Sequence, residues 1–225
     1  MTTDPWARYR ALLQDGLDRA VSEIDFGHAD LVREQVAAYE GGDGLVASIA
    51  CLRMAEALGV DAAAALPGAT SLALLAQMAV VFLSLESQDG GASLSTAWGM
   101  PRALNAGDAF FAAAQHTILA DEGEISVQRR LRALSILDDA TKDFMEVLHA
   151  AGEGAGVKDG ERSLLIAALL LAGVYSSADD ETMSRLKRIG SVWSGLDAGG
   201  LEAALAANLK LAPAADDMIT SEDAR

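Results

Sequence analysis

Cysteine, proline, aromatic residues and positive charge are all scarce in this 225-residue chain. A single cysteine, Cys51, excludes an internal disulfide framework and a multi-cysteine zinc site, and suits a reducing compartment. Aromatics make up 5% of the residues while 51% are hydrophobic, mainly Ala, Leu and Val. That balance favours helices over strands. Lys and Arg number 17 against 33 Asp and Glu, a formal charge of −16. Nucleic acids and anionic membranes are repelled by such a chain unless its few cations gather on one face. The start, Met1-Thr2-Thr3-Asp4-Pro5-Trp6, has neither the basic residues nor the apolar run of a secretory signal. A cytoplasmic protein is expected.

One long uncharged run is present. Gly68 to Leu85 approaches the roughly 17–25 apolar residues of a membrane span. It carries Gln77, however, and the nearest basic residues are Arg53 before it and Arg102 after it, so the usual flanking anchors are absent. The expectation is a central helix enclosed in a bundle, with no membrane span.

Periodicity predicts an all-α chain. The expected helices are Pro5 to Glu23, Ala29 to Glu40, Leu45 to Leu58, Pro67 to Leu85, Pro101 to Asp121, Val127 to Ala150, Glu161 to Ser177, Asp179 to Leu196 and Leu201 to Leu209. Three of the four prolines open helices, where the missing N–H is harmless. Residues 1–211 read as one helical domain and 212–225 as an acidic, disordered tail. Pro67 to Leu85 and Glu161 to Ser177 are apolar nearly all round and belong to a central layer. The acidic, glycine-rich junction Glu86-Ser87-Gln88-Asp89-Gly90-Gly91 follows the first of them, and a cavity would open there.

Several segments, taken in order, resemble the polyprenyl synthetase family, the trans-prenyltransferases of the isoprenoid synthase fold. Tyr39-Glu40-Gly41-Gly42 and Ala55-Glu56-Ala57-Leu58-Gly59 look like that family's Y-x-x-G-G-K-R-x-R-P segment and A-E-A-L-G helix end. The stretch from Trp98-Gly99 through Asn105-Ala106-Gly107-Asp108-Ala109 is close to its A-x-x-A-G-D-A-L helix. Ile136-Leu137 with Ala140-Thr141-Lys142 and Glu146 is similar to the helix that ends in E-G-Q, and Ile189-Gly190 with Trp193 to F-G-x-x-L-G. The likeness runs over roughly residues 30 to 200 and implies an isoprenoid synthase-type bundle, here shortened at the C-terminus.

The chemistry that the resemblance implies needs magnesium held by two aspartate-rich motifs, and cations to clamp a diphosphate. Of D-D-x-x-D, only Glu86 and Asp89 remain in Leu85-Glu86-Ser87-Gln88-Asp89, and the arginine pair after it is missing. G-G-K-R-x-R-P reads Gly41-Gly42-Asp43-Gly44-Leu45-Val46-Ala47, with an acid in place of lysine and no arginine. The second motif, F-Q-x-x-D-D, falls on Asp197-Ala198-Gly199-Gly200-Leu201-Glu202 and leaves Glu202. Losing one preorganised electrostatic group typically lowers a rate by about 10² to 10³. Here most ligands and nearly all the cations are gone together, so ordinary prenyl transfer is not expected.

No catalytic residue is therefore assigned, and Glu86, Asp89 and Glu202 are vestigial metal candidates. No cofactor is expected, Mg2+ being the one ion those carboxylates could take. Met78, Phe82, Asn105, Asp108, Phe110 and Phe111 are the pocket candidates, with core packing the plainer role for the apolar ones and helix contacts for Asn105 and Asp108. Asp179-Asp180-Glu181 reads as an acidic helix start, and His28, His116 and His149 lack metal-ligand spacing. The functional expectation is a non-catalytic or regulatory subunit, a pseudoenzyme of isoprenoid biosynthesis. It would act as a homodimer or as a heterodimer with an active prenyl diphosphate synthase, through a face within Pro101 to Ala150. An apolar isoprenoid-ligand binder or metal-independent cyclase using the old prenyl tunnel is the alternative, and a residual prenyltransferase the third.

Overall fold

Apolar residues spaced for helices, bounded by caps and prolines, form helices at the expected places. The computed structural model describes residues 6–22, 45–86, 97–121, 123, 125–151, 158–193 and 204. Among them are seven α-helices and no strand. In chain order these are α1 (Ala7–Ser22), α2 (Val46–Ala57), α3 (Leu66–Glu86), α4 (Met100–Leu119), α5 (Val127–Ala151), α6 (Lys158–Tyr175) and α7 (Asp180–Trp193). A 3-10 turn, Ala62–Ala65, leads into α3. The expected helix at Ala29 to Glu40, most of the one at Leu201 to Leu209, and the tail lie outside the described residues.

Local chemistry sets the boundaries. Pro67 and Pro101 both sit in the first turn of their helices. Asp61 accepts the N–H of Ala63 at 2.8 Å and so starts the turn before α3. Asp179 caps α7 by accepting the N–H of Thr182 at 2.8 Å, and hydrogen bonding to Thr182 holds its carboxyl below the usual carboxylate range. Asp180 and Glu181 follow in the first turn, as the helix dipole favours.

The uncharged run becomes α3, the centre of the bundle. Ala69, Leu72, Ala73, Leu74, Leu75, Met78 and Val81 are all buried, and α1, α2, α4, α5 and α6 pack around them. Ala62–Leu85 is long and apolar enough to cross a membrane by length and composition, and 72% of that window is buried inside the bundle. Helix α6 is the second enclosed element, with Ala167, Ala168, Leu169, Leu171 and Ala172 almost wholly inaccessible.

Helices that touch run mostly antiparallel. Phe82, near the end of α3, lies on Gly107 near the start of α4. Tyr175, at the end of α6, crosses Gly68 at the start of α3, and Gly190 of α7 meets Ile166 of α6. The ends of α1, α3, α5 and α7 therefore share one end of the bundle with the starts of α2, α4 and α6. This is the upper end of the bundle. At the lower end the fully buried Tyr9 fastens α1 to α2. Its hydroxyl donates to Glu56 Oε2 at 2.5 Å and accepts from Arg8 and, at 3.4 Å, from Arg53. The Arg53 guanidinium also lies 5.3 Å over the Trp6 ring.

Two predictions follow from this packing. Helix α6 ends in a Schellman turn, in which Ala178 donates to Gly173 O at 2.9 Å and Ser177 to Val174 O at 3.2 Å. The residue at the left-handed position is Ser177, φ 61°, whereas the same turn after α2 uses Gly59, φ 90°. Ser177→Gly should raise stability by about 1 kcal/mol, read as a higher urea midpoint with an unchanged slope. Cys51 is fully buried, and desolvation pushes its thiol up to about 12, against an opposing backbone hydrogen bond at Ala172. An aromatic disulfide reagent should leave it unmodified in the folded chain at pH 8 and titrate it fully in urea. A raised folded value implies that its contribution to stability is complete below about pH 8.5 and is lost as pH climbs from there towards 12.

Candidate functional site

The expected site belongs to the upper end, where α3 finishes and α2 and α4 begin. Glu86 is the last residue of α3. Asp43, Asp89 and Glu202 lie outside the described residues. Among the described residues no three His, Cys, Asp or Glu side chains come together as a metal site would require. The described part of this end thus does not assemble the donors a divalent ion needs.

The beginning of α2 matters more than its sequence suggests. The resemblance places the diphosphate-clamping arginines at Gly44 and Val46. In the structure Leu45 is 3% exposed, Ser48 is buried, and Val46 and Ala47 pack against the core. Where cations would face a polar cleft, this helix turns apolar side chains inward. Val46 is half-buried, and the described first turn of α2 offers a diphosphate no charged group.

The pocket candidates divide by depth. Met78 and Phe110 are fully buried core residues. Phe82 and Phe111 are half-buried and pack against that core. Asn105 and Asp108 are exposed on α4, while their neighbours Ala103, Ala106 and Gly107 are buried against α3. The Asn-Ala-Gly-Asp stretch thus splits into a packing pair and a solvent pair. Gly107 permits the close approach: a Cβ there would stand 2.7 Å from the Phe82 ring. Sequence reading found the motif but not the ring that needs it, because the two positions lie on different helices.

No protein-family model and no curated protein sequence matches the chain. Its likeness is in the backbone. Geranylgeranyl pyrophosphate synthetase from the archaeon Geoglobus acetivorans superposes with a TM-score of 0.73 at 19% identity, covering 85% of this chain and 66% of that one. The chain has the isoprenoid synthase fold. The geranyl diphosphate synthase small subunit from Antirrhinum majus superposes with a TM-score of 0.69 at 16% identity, covering 92% of this chain and 91% of that subunit. A chain of the mint heterotetrameric geranyl pyrophosphate synthase gives 0.67 at 15%, covering 91% and 92%. This polyprenyl synthetase-like chain therefore spans just under two thirds of the archaeal synthetase and nearly all of the small subunit.

The α3–α4 contact can be tested directly. Gly107→Ala should lower stability by about 1–2 kcal/mol through overpacking against Phe82. In a double-mutant cycle measured by urea unfolding, Phe82→Ala should recover part of that loss, because it removes the ring the new methyl meets.

Proposed function

We propose that this chain is a catalytically degenerate polyprenyl synthetase-like protein that serves as a non-catalytic or regulatory subunit of a prenyl diphosphate synthase in the cytoplasm. The observation that carries the reading is the set of exposed large apolar side chains on α4 and α5. Met100 and Leu104 on α4 are 48% and 43% exposed, and Val127, Leu131 and Met145 on α5 are 69%, 60% and 44% exposed. Most large exposed hydrophobics of the described chain belong to these two helices, and side chains so placed are the usual mark of an interface. The like-sized small subunit of Antirrhinum majus and the heterotetrameric mint enzyme support a partner role. A start of α2 filled by core residues supports a role with no cofactor and no diphosphate chemistry of its own.

Co-expression with the prenyl diphosphate synthase of the source cells tests this. The chain should co-purify with it and shift the length of its products, and it should release no diphosphate from allylic substrates alone. Leu131→Glu should weaken the pairing by about tenfold or more without unfolding the chain, since the side chain is exposed. Failure to co-purify together with an unchanged product length would sink the proposal.

A further inference from the structure

A buried polar group without a partner is costly, and the lower end of the bundle holds two in one corner. Tyr175, at the end of α6, is 5% exposed, yet its hydroxyl meets no hydrogen-bonding partner among the described residues. Its ring is held against Gly68 of α3, where a Cβ would stand 2.7 Å from it. Arg130 enters the same corner from α5. It precedes Leu137 and Phe144 at seven-residue spacings and so lies on the buried side of its helix. Its Nη2 donates to the backbone oxygen of Asp121, just past the end of α4. Its Nε is buried and has no acceptor among the described residues. The two side chains are near enough for the charge of Arg130 to act on the Tyr175 hydroxyl.

Both groups are donors. Burial pushes the Tyr175 phenol above its ordinary value, so it keeps its proton, and a guanidinium can only donate. The charge is unanswered as well. Nη2 rests on a neutral carbonyl, no described carboxylate forms an ion pair with Arg130, and the Asp121 carboxylate is engaged by the N–H of Gly123 at 2.9 Å. Arg130 is the fourth residue of α5, Arg129 stands just before it, and the first turn holds no acid. Helix dipole and guanidinium therefore favour a ligand of the same sign. We infer that the corner between Tyr175 and Arg130 binds a small oxyanion, a phosphate or a carboxylate, whose oxygens accept the Tyr175 O–H and the Arg130 Nε–H together. Water accepts the same bonds but leaves the charge unanswered. An anion satisfies both donors and offsets arginines that otherwise oppose the α5 dipole. The site lies at the opposite end of the bundle from Glu86 and the start of α2, and it does not depend on the proposed pairing with a synthase.

Equilibrium dialysis and isothermal titration calorimetry of the full chain at neutral pH, with inorganic phosphate and with acetate at fixed ionic strength, test the assignment. One anion should bind per chain, phosphate answering for a phosphoryl group and acetate for a carboxylate. Tyr175→Phe removes only the unbonded hydroxyl and should weaken that binding by about tenfold or more. Arg130→Lys keeps the charge but lacks the Nε–H, and should weaken it by a similar factor of about ten or more. Stability gives a second readout. Between about 1 and 100 mM of the bound anion, the urea midpoint of the wild type should climb with the logarithm of concentration, while both variants show only the general effect of the salt. Without anion, Tyr175→Phe should unfold at a midpoint no lower than that of the wild type, because no bond within the protein is lost. A lower midpoint would give the hydroxyl a partner in the protein and overturn the inference. Wild type that binds neither anion overturns it too and assigns both donors to water. Binding that either variant leaves unchanged places the anion elsewhere and removes the site.

Discussion

Everything in this bundle is arranged around the burial of α3. From Leu66 to Leu85 the helix carries no charge, and three of its four polar side chains, Thr70, Ser71 and Gln77, are within 1% of complete burial. No amphipathic stripe exists to leave facing water, so five other helices must close round it. Ser71 satisfies itself on the carbonyl of Pro67 at 2.8 Å, but the carboxamide of Gln77 finds no partner at either end among the described residues. That omission costs about 1–3 kcal/mol. The contacts of Leu72, Leu74, Leu75 and Met78 outweigh it, each fully buried large side chain contributing roughly 1.5–3 kcal/mol.

Enclosure by neighbours explains where the sequence was informative. A helix apolar on all sides is legible as central from composition alone, and α3 and α6 were read that way. Proline at Pro67 and Pro101, and the acids at Asp179 to Glu181, marked starts because their effects are local. Boundaries without such marks were less legible: α6 reaches back to Lys158, three residues before the expected Glu161. Ser177 in a left-handed conformation carries no glycine to announce it. The cluster of Arg8, Tyr9, Arg53 and Glu56 joins residues more than forty positions apart and has no motif. Such contacts follow from the antiparallel pairing of α1 with α2, which periodicity does not specify.

The candidate site was legible in a different sense. The absence of lysine and arginine from Asp43 to Ala47 can be read from the letters, but how Leu45 to Ala47 pack cannot. The structure shows Leu45 and Ser48 drawn into the core at the start of α2, with Val46 and Ala47 packed against it. The start of α2 is thus built from core and half-buried residues, with no charge in its first turn. Asn105 and Asp108 show the reverse case. Their letters suggest chemistry, yet α4 turns Ala106 and Gly107 inward and leaves both polar residues outside, because only small residues let it approach Phe82.

Two constraints bear on this fold, the enclosure of α3 and the exposed surface of α4 and α5. The first explains nearly every buried residue. It leaves unexplained why Val127 and Leu131 stay apolar at 69% and 60% exposure, when polar side chains there would cost the core nothing. It leaves equally unexplained an arginine-rich start to α5 in a protein of charge −16, where acids abound and the dipole would welcome them. The two anomalies share a helix but not a face: at 100° per residue Arg132 stands about 140° round α5 from Val127. The buried Ala133, Leu137, Ala140 and Phe144 occupy a third side, so the apolar residues and the arginine flank α5 on opposite sides of its exposed surface and answer to different neighbours.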